Sequence, residues 1–429
     1  ANLATEFIQM GCKAVVAAGW AVDDLAASTF ARTLYESMFN GTRFGRALLQ
    51  ARSETHRNHP QTNTWGAFQA YGDEQYCFPN TQDSDGDVVP NYVHPSHLIA
   101  DLDLLCARLL DATAEERENF YIRQLKGIEK AARGTDFQHA GVREKLAEAW
   151  AEMGEPDRAI GHYRAALSFE DACFSLHALE QLANLEIRHG ASLMQHKGKN
   201  AEKTKEQFLR GREFMEAGRQ RLQQLLNIGA TSERWALLGS YWKRLAQAQI
   251  AKESLTDVQS WLEGMDEAYW QAADHGYKRS GSWDYAPLLN ALDAIFLRAL
   301  WNDRKHADRL IVQLPELLRA ATDNGRRRFA EDRTFSHALA EVEAQRIDSL
   351  WAFLEESRPQ ARLSNPEVVE RLIVLYRDIL SRLGSIREQD STINQLHFLI
   401  RLLPEQGEHI AVIKGALQGL ITGISSKNA

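Results

Sequence analysis

Residues 11–24, GCKAVVAAGWAVDD, constrain the fold of this chain more than any other stretch. Their centre, Ala14–Ala18, is an apolar run of strand length without alternation. Such a run favours a strand covered on both faces, as in a parallel α/β sheet. A helix could also begin there, but the flanking turn residues Gly11 and Gly19 favour the strand.

Two helices and a second strand are predicted to follow. Asp23 and Asp24 stand at the N-cap and first turn of a helix, where carboxylates accept hydrogen bonds from free backbone N–H groups. Apolar residues recur at helical spacing over residues 25–40 and again over residues 44–56. The predicted closing strand contains Trp65, Ala67, Phe68 and Tyr71.

The order of these segments resembles the part of CHAT proteases that lies just beyond the catalytic cysteine. The CHAT family belongs to the clan of caspases, separases and gingipains. Two motifs at compatible spacing carry the resemblance, AVVAAGWAVDD at residues 14–24 and TWGAFQAYGD at residues 64–73. A helix predicted over residues 3–10 completes the order, so the resemblance covers about the first 75 residues.

The resemblance implies that the catalytic residues lie outside this chain. In the clan, the His and Cys of the dyad lie on strand ends upstream of this segment. Cys12 occupies the turn before the strand, where the family has a small or apolar residue, and we expect it not to be the nucleophile. Because no methionine opens the chain, we expect it to be the C-terminal part of a longer protease, comparable to the small subunit of a caspase.

Five residues are candidates for substrate binding. Ala18, Gly19 and Trp20 would line the cleft, because a strand end beside the catalytic cysteine offers backbone groups to an extended peptide. Trp20 could instead pack in the core. In clan members that cleave after Arg or Lys, a carboxylate near this strand end lines the specificity pocket, which makes Asp23 or Asp24 a candidate. Helix capping is the alternative role, and it needs only one of the two.

Composition divides the chain into three parts. We predict a CHAT segment over residues 1–80, a linker over residues 81–97 and a helical region over residues 98–429. The linker begins with an acidic run whose spacing is similar to the start of a calcium loop, at Asp83, Asp85 and Asp87. A calcium loop needs a carboxylate at its twelfth position, which is His94 here, so a solvated linker is favoured and no metal site is expected.

The helical region contains a pattern that resembles a tetratricopeptide repeat (TPR), in which small residues of one helix face large residues of the next. Its clearest copy consists of Leu146, Ala147, Trp150, Gly154, Ala159, Tyr163, Ala166 and Leu167. A weaker copy has Leu182, Ala183 and Gly190 in its first helix, and a lysine-rich insertion over residues 195–205 separates that helix from its partner.

A further copy has Trp235, Leu238, Gly239 and Trp242 in its first helix, and Tyr269 and Ala272 occupy the matching positions of its second helix. Single helix pairs must stack to bury their apolar faces. We therefore predict a TPR-like α-solenoid of about four to six helix pairs.

Composition and charge argue for a globular protein that does not bind nucleic acid or membranes through its overall charge. Apolar residues make up 44% and charged residues 25% of the 429 residues, which is typical of globular proteins. A net charge of −8 gives no overall attraction to nucleic acid or anionic membrane. The basic runs at residues 197–205 and 326–328 lack interleaved aromatic residues, so we interpret both as solvated surface.

Four scattered cysteines without a C-x-x-C pair favour a reducing compartment. No signal-peptide pattern and no apolar run of about 18 residues is present, and we expect a cytoplasmic protein without membrane contact.

The predicted fold class is an α/β caspase-like partial sheet followed by a mostly α-helical TPR-like solenoid. The resemblance implies the C-terminal portion of a CHAT cysteine endopeptidase, in bacterial defence or regulated proteolysis, without a cofactor. Its expected partners are the upstream catalytic part and a protein substrate or regulator bound by the helical repeats, with no direct nucleic-acid contact. The alternative is a non-catalytic TPR-type scaffold with a degenerate caspase-like fold.

Overall fold

The computed structural model describes residues 7–8, 12–78, 89–90, 92–134, 137–170, 174–196, 201–250, 257–384, 386–407 and 409–425. The chain divides into two compact units, Ala1–Phe174 and Ser175–Ala429. The domain limits drawn from the sequence stay predictions. The predicted helix over residues 3–10 lies largely outside the described residues, and the acidic run of the predicted linker lies wholly outside them.

The first unit begins with a two-stranded antiparallel sheet and its helices. The elements are β1 (Ala14–Ala18), α1 (Asp24–Phe39), α2 (Phe44–Asn58), the short α3 (Thr64–Ala67) and β2 (Phe68–Gly72). The register runs from Ala14 opposite Gly72 to Ala18 opposite Phe68.

The sequence predicts that β1 belongs to a parallel sheet. This prediction is wrong for the pair of β1 and β2, which is antiparallel. A parallel neighbour needs a single crossover connection, usually one helix. Here α1 and α2 pack against each other, and the second helix returns the chain to the end at which β1 stopped. Strand β2 consequently starts beside Ala18 and runs in the opposite direction.

The helices α1 and α2 cover one face of the sheet. The Phe30 ring of α1 stacks on Phe68 of β2, with ring centroids 4.0 Å apart. Ala17 and Gln69 point to the other face, where both are exposed. The prediction that β1 is covered on both faces is thus wrong within this part of the chain. The core residues of the helices are Phe30, Leu34, Met38, Phe44, Ala47 and Ala51.

The closing strand begins later than the sequence predicts. Trp65 and Ala67 belong to the helical turn α3 rather than to β2. A hydrogen bond of 3.1 Å from the Gly66 N–H to the Asn63 carbonyl closes this turn. Ala67 is buried there, and the extended backbone starts at Phe68.

The remaining elements described in the first unit are helices. They are α4 (Pro95–Asp111), α5 (Ala114–Glu116), a π-helical segment (Arg117–Tyr121), α6 (Ile122–Ala131), α7 (Ala140–Glu152) and α8 (Pro156–Ala166). Helix α4 begins inside the predicted linker, because Pro95 suits the first helical position, where no N–H is needed. Its apolar face is buried as the periodicity predicts, at Leu98, Leu102, Leu105 and Leu109.

Helices α7 and α8 form the pair expected from the clearest repeat pattern. They pack against each other across the turn at Gly154, whose φ of 80° suits glycine. Trp150 and Tyr163 are buried in this pair.

Every secondary-structure element described in the second unit is a helix. Its α-helices are α9 (Leu176–Gln195), α10 (Ala201–Ile228), α11 (Ser232–Ile250), α12 (Val258–Ser280), α13 (Tyr285–Leu300), α14 (Lys305–Leu310), α15 (Leu314–Asp332), α16 (Phe335–Trp351), α17 (Pro366–Leu383), α18 (Ile386–Arg401) and α19 (Ile410–Ser425). Consecutive helices from α9 to α13 pack against one another.

Two glycines set the closest helix contact in this unit. A Cβ atom on Gly190 of α9 would lie 2.4 Å from the Gly211 carbonyl oxygen of α10, and one on Gly211 would lie 2.5 Å from the Gly190 oxygen. Gly190 is therefore a crossing point within α9, the helix to which the sequence assigns it. The predicted insertion over residues 195–205 is wrong in part, because residues 201–205 belong to α10.

The sequence pairs Gly239 of α11 with Tyr269 of α12, and the structure shows this small-to-large contact between the two helices. A Cβ atom on Gly239 would lie 2.7 Å from the Tyr269 ring. In the reverse direction, a Cβ atom on Gly264 of α12 would lie 2.4 Å from the Trp242 indole. Each glycine therefore allows an aromatic ring of the facing helix to approach its backbone.

The crossing at Gly190 yields a stability prediction. Gly190→Ala should destabilise the second unit by about 1–3 kcal/mol, because the added methyl group overpacks the contact with α10. Gly415→Ala in α19 is the matched control: a Cβ atom there meets nothing within 4 Å, so it should stabilise the unit by about 0.5–1 kcal/mol. Urea unfolding followed by far-UV circular dichroism measures both, and equal effects of the two variants would contradict the close crossing.

Candidate functional site

The five candidate residues lie together in the turn that joins β1 to α1. Ala18, Gly19, Trp20, Asp23 and Asp24 are all exposed. Two hydrogen bonds hold the turn against the second motif. The Gly19 N–H donates to the Ala67 carbonyl at 2.8 Å, and the Asp23 N–H donates to the Thr64 hydroxyl at 2.9 Å. The structure thus places the ends of the two motifs next to each other.

Thr64 is a positioning residue that the sequence argument missed. Its side chain is buried, with 1% of the residue exposed, although threonine is polar. Its hydroxyl fixes the backbone at the start of α1 from a position 41 residues further along the chain. The threonine of the TWGA motif was the available signal, but its partner could not be inferred without the antiparallel pairing.

The two carboxylates differ in their surroundings. Asp23 is the N-cap of α1, and its Oδ1 atom accepts from the Ala26 N–H at 3.0 Å. The predicted capping role is therefore confirmed for Asp23. Asp24 lies in the first turn and makes no hydrogen bond or ion pair with the described residues. Since one carboxylate satisfies the helix end, the other is available to a ligand.

Trp20 lies on the surface rather than in the core, with 46% of the residue exposed. Its indole crosses Gly66, where an added Cβ atom would lie 3.8 Å from the ring. Trp65 beside it is 40% exposed and packs on His56 at 5.2 Å between ring centroids. His59 contacts the Thr29 hydroxyl at 2.9 Å. The turn is thus flanked by exposed aromatic surface of the kind that contacts peptide side chains.

One edge of β1 pairs with β2 and the other has no partner among the described residues. The Asp73 N–H donates to the Lys13 carbonyl at 3.1 Å, and the Gly19 N–H donates to the Ala67 carbonyl. Hydrogen-bonded pairs alternate along an antiparallel ladder, so the odd-numbered residues of β1 face β2. The residues whose backbone groups point to the opposite edge are Ala14, Val16 and Ala18.

None of the three described cysteines forms a catalytic pair. Cys12 and Cys77 are exposed, Cys106 is partly buried, and none makes a hydrogen bond to a histidine of the described residues. Burial, together with the carboxylates of Glu148 and Glu152, raises the pKa of Cys106 to about 12. A thiol with such a pKa is a poor nucleophile at neutral pH.

The described ranges contain no group of three or more His, Cys, Asp or Glu residues that could hold a metal ion. The arginine run at residues 326–328 is paired within the chain, by Arg326 with Glu341 at 2.8 Å and by Arg328 with Asp284 at 3.1 Å. Of the lysine-rich run, residues 197–200 lie outside the described residues.

Comparison with known families identifies the N-terminal segment. Residues 1–73 match the family model of the CHAT domain, which bears out the resemblance of the two motifs. A CHAT domain suggests that this segment is related to caspase-like proteases. No curated protein matches the chain. Within the described residues, no helix is both long enough and apolar enough to cross a membrane.

Proposed function

We propose that this chain is the C-terminal portion of a CHAT cysteine endopeptidase, in which the turn after β1 forms part of the substrate cleft. One observation carries the proposal: the five candidate residues lie in one exposed turn, and residues of the second CHAT motif hold the backbone of that turn at Gly19 and Asp23. A turn that only joined a strand to a helix would need neither the buried Thr64 nor an exposed tryptophan.

The proposed protease draws its nucleophile and base from polypeptide upstream of this chain. A cysteine thiolate attacks the peptide carbonyl carbon, and a histidine takes up the thiol proton and later donates it to the leaving amine. Strands of that upstream part pair with the open edge of β1 at Ala14 and Val16. The backbone groups of Ala18, at the end of the same edge, then bind the extended substrate.

Asp24 is the stronger of the two candidates for the specificity pocket. One carboxylate oxygen of Asp23 already accepts the capping hydrogen bond, whereas Asp24 is exposed without a partner among the described residues. A substrate Arg or Lys would form a charge-assisted contact with it. The proposed protease therefore prefers substrates that are basic at the residue before the cleaved bond.

The helical parts of the chain serve, in this proposal, to bind a regulator or the protein substrate. Support comes from consecutive helices that pack on one another and from the small-to-large contacts of α11 with α12, which are typical of TPR-like helix pairs. Control of proteolysis by a bound partner fits a role in bacterial defence or another regulated process in the cytoplasm.

A non-catalytic scaffold is the second candidate function. The helix-rich second unit supports it, because stacked helix pairs bind protein partners without any catalytic group. The two candidates differ in what the upstream polypeptide supplies: a scaffold would lack the histidine and cysteine that the protease requires.

The first prediction concerns activity. The isolated chain should hydrolyse no peptide, and a protease that joins it to its upstream polypeptide should do so and lose activity on thiol alkylation. A variant of that protease with Cys12, Cys77, Cys106 and Cys173 all replaced by serine should remain active and remain sensitive to alkylation. Turnover by the isolated chain that alkylation abolishes would overturn the proposal.

The second prediction separates charge recognition from capping. In the active protease, Asp24→Ala should lower kcat/KM for Arg substrates about ten- to a hundredfold and leave neutral substrates unaffected. Asp23→Ser keeps a good N-cap without the charge, so it should preserve both stability and specificity. Asp23→Ala should lower stability by about 1 kcal/mol.

The measurements are kcat/KM on paired Arg and neutral peptides and the free energy of unfolding of each variant. If Asp23→Ser rather than Asp24→Ala reduced the Arg preference, the pocket carboxylate would be Asp23. An unchanged preference in both variants would exclude the specificity role for this turn.

A further inference from the structure

A cavity of about 1100 Å³ lies inside the second unit, between α11, α13, α16 and α18. Its volume is slightly above the range of about 300–1,000 Å³ that is usual for small-molecule sites. Its wall combines hydroxyl and amide side chains with apolar ones, including Ser240, Asn290, Ser336 and Asn394 among the former and Leu289 and Leu339 among the latter. Such a wall suits a ligand that has both polar and apolar parts.

Charged side chains that are withdrawn from solvent in this unit are generally paired. Arg346 at the cavity donates to both carboxylate oxygens of Asp293, at 3.0 and 2.8 Å, and to Glu343 at 2.7 Å. Away from the cavity, Arg234 pairs with Glu180 at 2.7 Å. This pairing is expected, because a buried charge without a partner is strongly unfavourable.

Lys243 and Arg244 of α11 are exceptions to this pattern, and both line the cavity. Lys243 donates to the neutral Asn290 Oδ1 atom at 2.9 Å and has no ion pair with a described residue. Arg244 has no hydrogen-bond or ion-pair partner among the described residues, and its Nε atom is buried. Neither cation therefore forms an ion pair within the part of the chain that the structure describes.

The electrostatic surroundings disfavour these charges in the free chain. Burial lowers the pKa of Lys243 to about 8, against the opposing effect of Asp293 and Glu343. Burial also lowers the pKa of Arg244, and the positive charge of Arg188 on α9 lowers it further. An anion in the cavity would relieve both effects.

We propose that this cavity binds a small phosphate-bearing molecule whose phosphate contacts Lys243 and Arg244. A phosphate monoester carries a charge of about −1.5 to −2 at pH 7, which matches two cations that have no ion pair among the described residues better than a single carboxylate does. The planar guanidinium of Arg244 also suits two-point contact with phosphate oxygens.

The acidic side of the cavity wall limits which chemical groups the ligand can carry beside its phosphate. Two of the carboxylates that line the cavity, those of Asp293 and Glu343, are paired with Arg346. Asp390 of α18 also lines the cavity, so a second phosphate at that side would be repelled. Hydrogen-bond donors would be favoured there, because carboxylates accept hydrogen bonds. A nucleoside monophosphate combines one phosphate with an amino-bearing base and fits this description.

The test is calorimetric titration of the full chain at constant ionic strength. The probes are adenosine 5′-monophosphate, ribose 5-phosphate and inorganic phosphate, with adenosine as the probe that lacks phosphate. We expect saturable binding of adenosine 5′-monophosphate and none of adenosine. Binding of ribose 5-phosphate or inorganic phosphate would show that the phosphate itself carries recognition.

The decisive variant is Arg244→Gln, which should weaken binding roughly tenfold or more through loss of a charge-assisted contact. Lys414→Gln, an exposed position on α19, removes the same charge outside the cavity and should leave the affinity unchanged. Because Arg188 and Arg244 repel each other, Arg244→Gln should not lower the unfolding midpoint of the free chain.

If Arg244→Gln unfolds nevertheless, Lys243→Gln replaces it in the same comparison. Two results would overturn the proposal. One is the absence of saturable binding by every phosphate probe at millimolar concentration, and the other is equal affinity of the cavity variant and Lys414→Gln.

Discussion

The candidate site depends on the backbone pairing of β1 with β2. This pairing brings residues 64–67 beside the turn after β1, so that the Ala67 carbonyl and the Thr64 hydroxyl can hold that turn. It also depends on Gly72, where φ is 117° and a Cβ atom would lie 2.3 Å from the Lys13 carbonyl oxygen. Any other residue there would separate the strands where their pairing begins.

Glycines also allow close backbone contacts in the second unit, there between helices rather than between strands. Gly190 and Gly211 let two helices approach through their backbones, and Gly239 lets a tyrosine ring lie against the facing helix. In both units, then, the absence of a side chain at one position allows the close contact that fixes the neighbouring element. These contacts are specific because close-packed interiors accommodate an extra methyl group poorly.

The sequence predicts the local features of this fold and fewer of its long-range ones. The Asp23 cap and the buried leucines of α4 follow from residue type and spacing, and both are confirmed. The direction of β2 depends on how α1 and α2 fold back, which no local pattern encodes. The close crossing at Gly190 could not be predicted, because a glycine in a helical pattern is equally consistent with a helix end and with a close crossing.

The two candidate sites differ in the same way: one could be located from local sequence patterns and the other could not. The exposed turn with Asp24 could be located from the two motifs, because each lies within a few residues of a predicted strand end. Lys243 and Arg244 could not, since a basic pair on an amphipathic helix normally faces solvent. Only the positions of α13, α16 and α18 turn that helix face into a cavity wall.

The central claim is that the open edge of β1 binds the upstream part of a protease. Residue-specific amide hydrogen exchange tests it most directly, in the isolated chain and in a protein that includes the upstream polypeptide. The account predicts that Val15 and Ala17 are protected in both, because they face β2, and that the Ala14 and Val16 amides are protected only in the longer protein. Equal exchange of Ala14 and Val16 in the two proteins would contradict it.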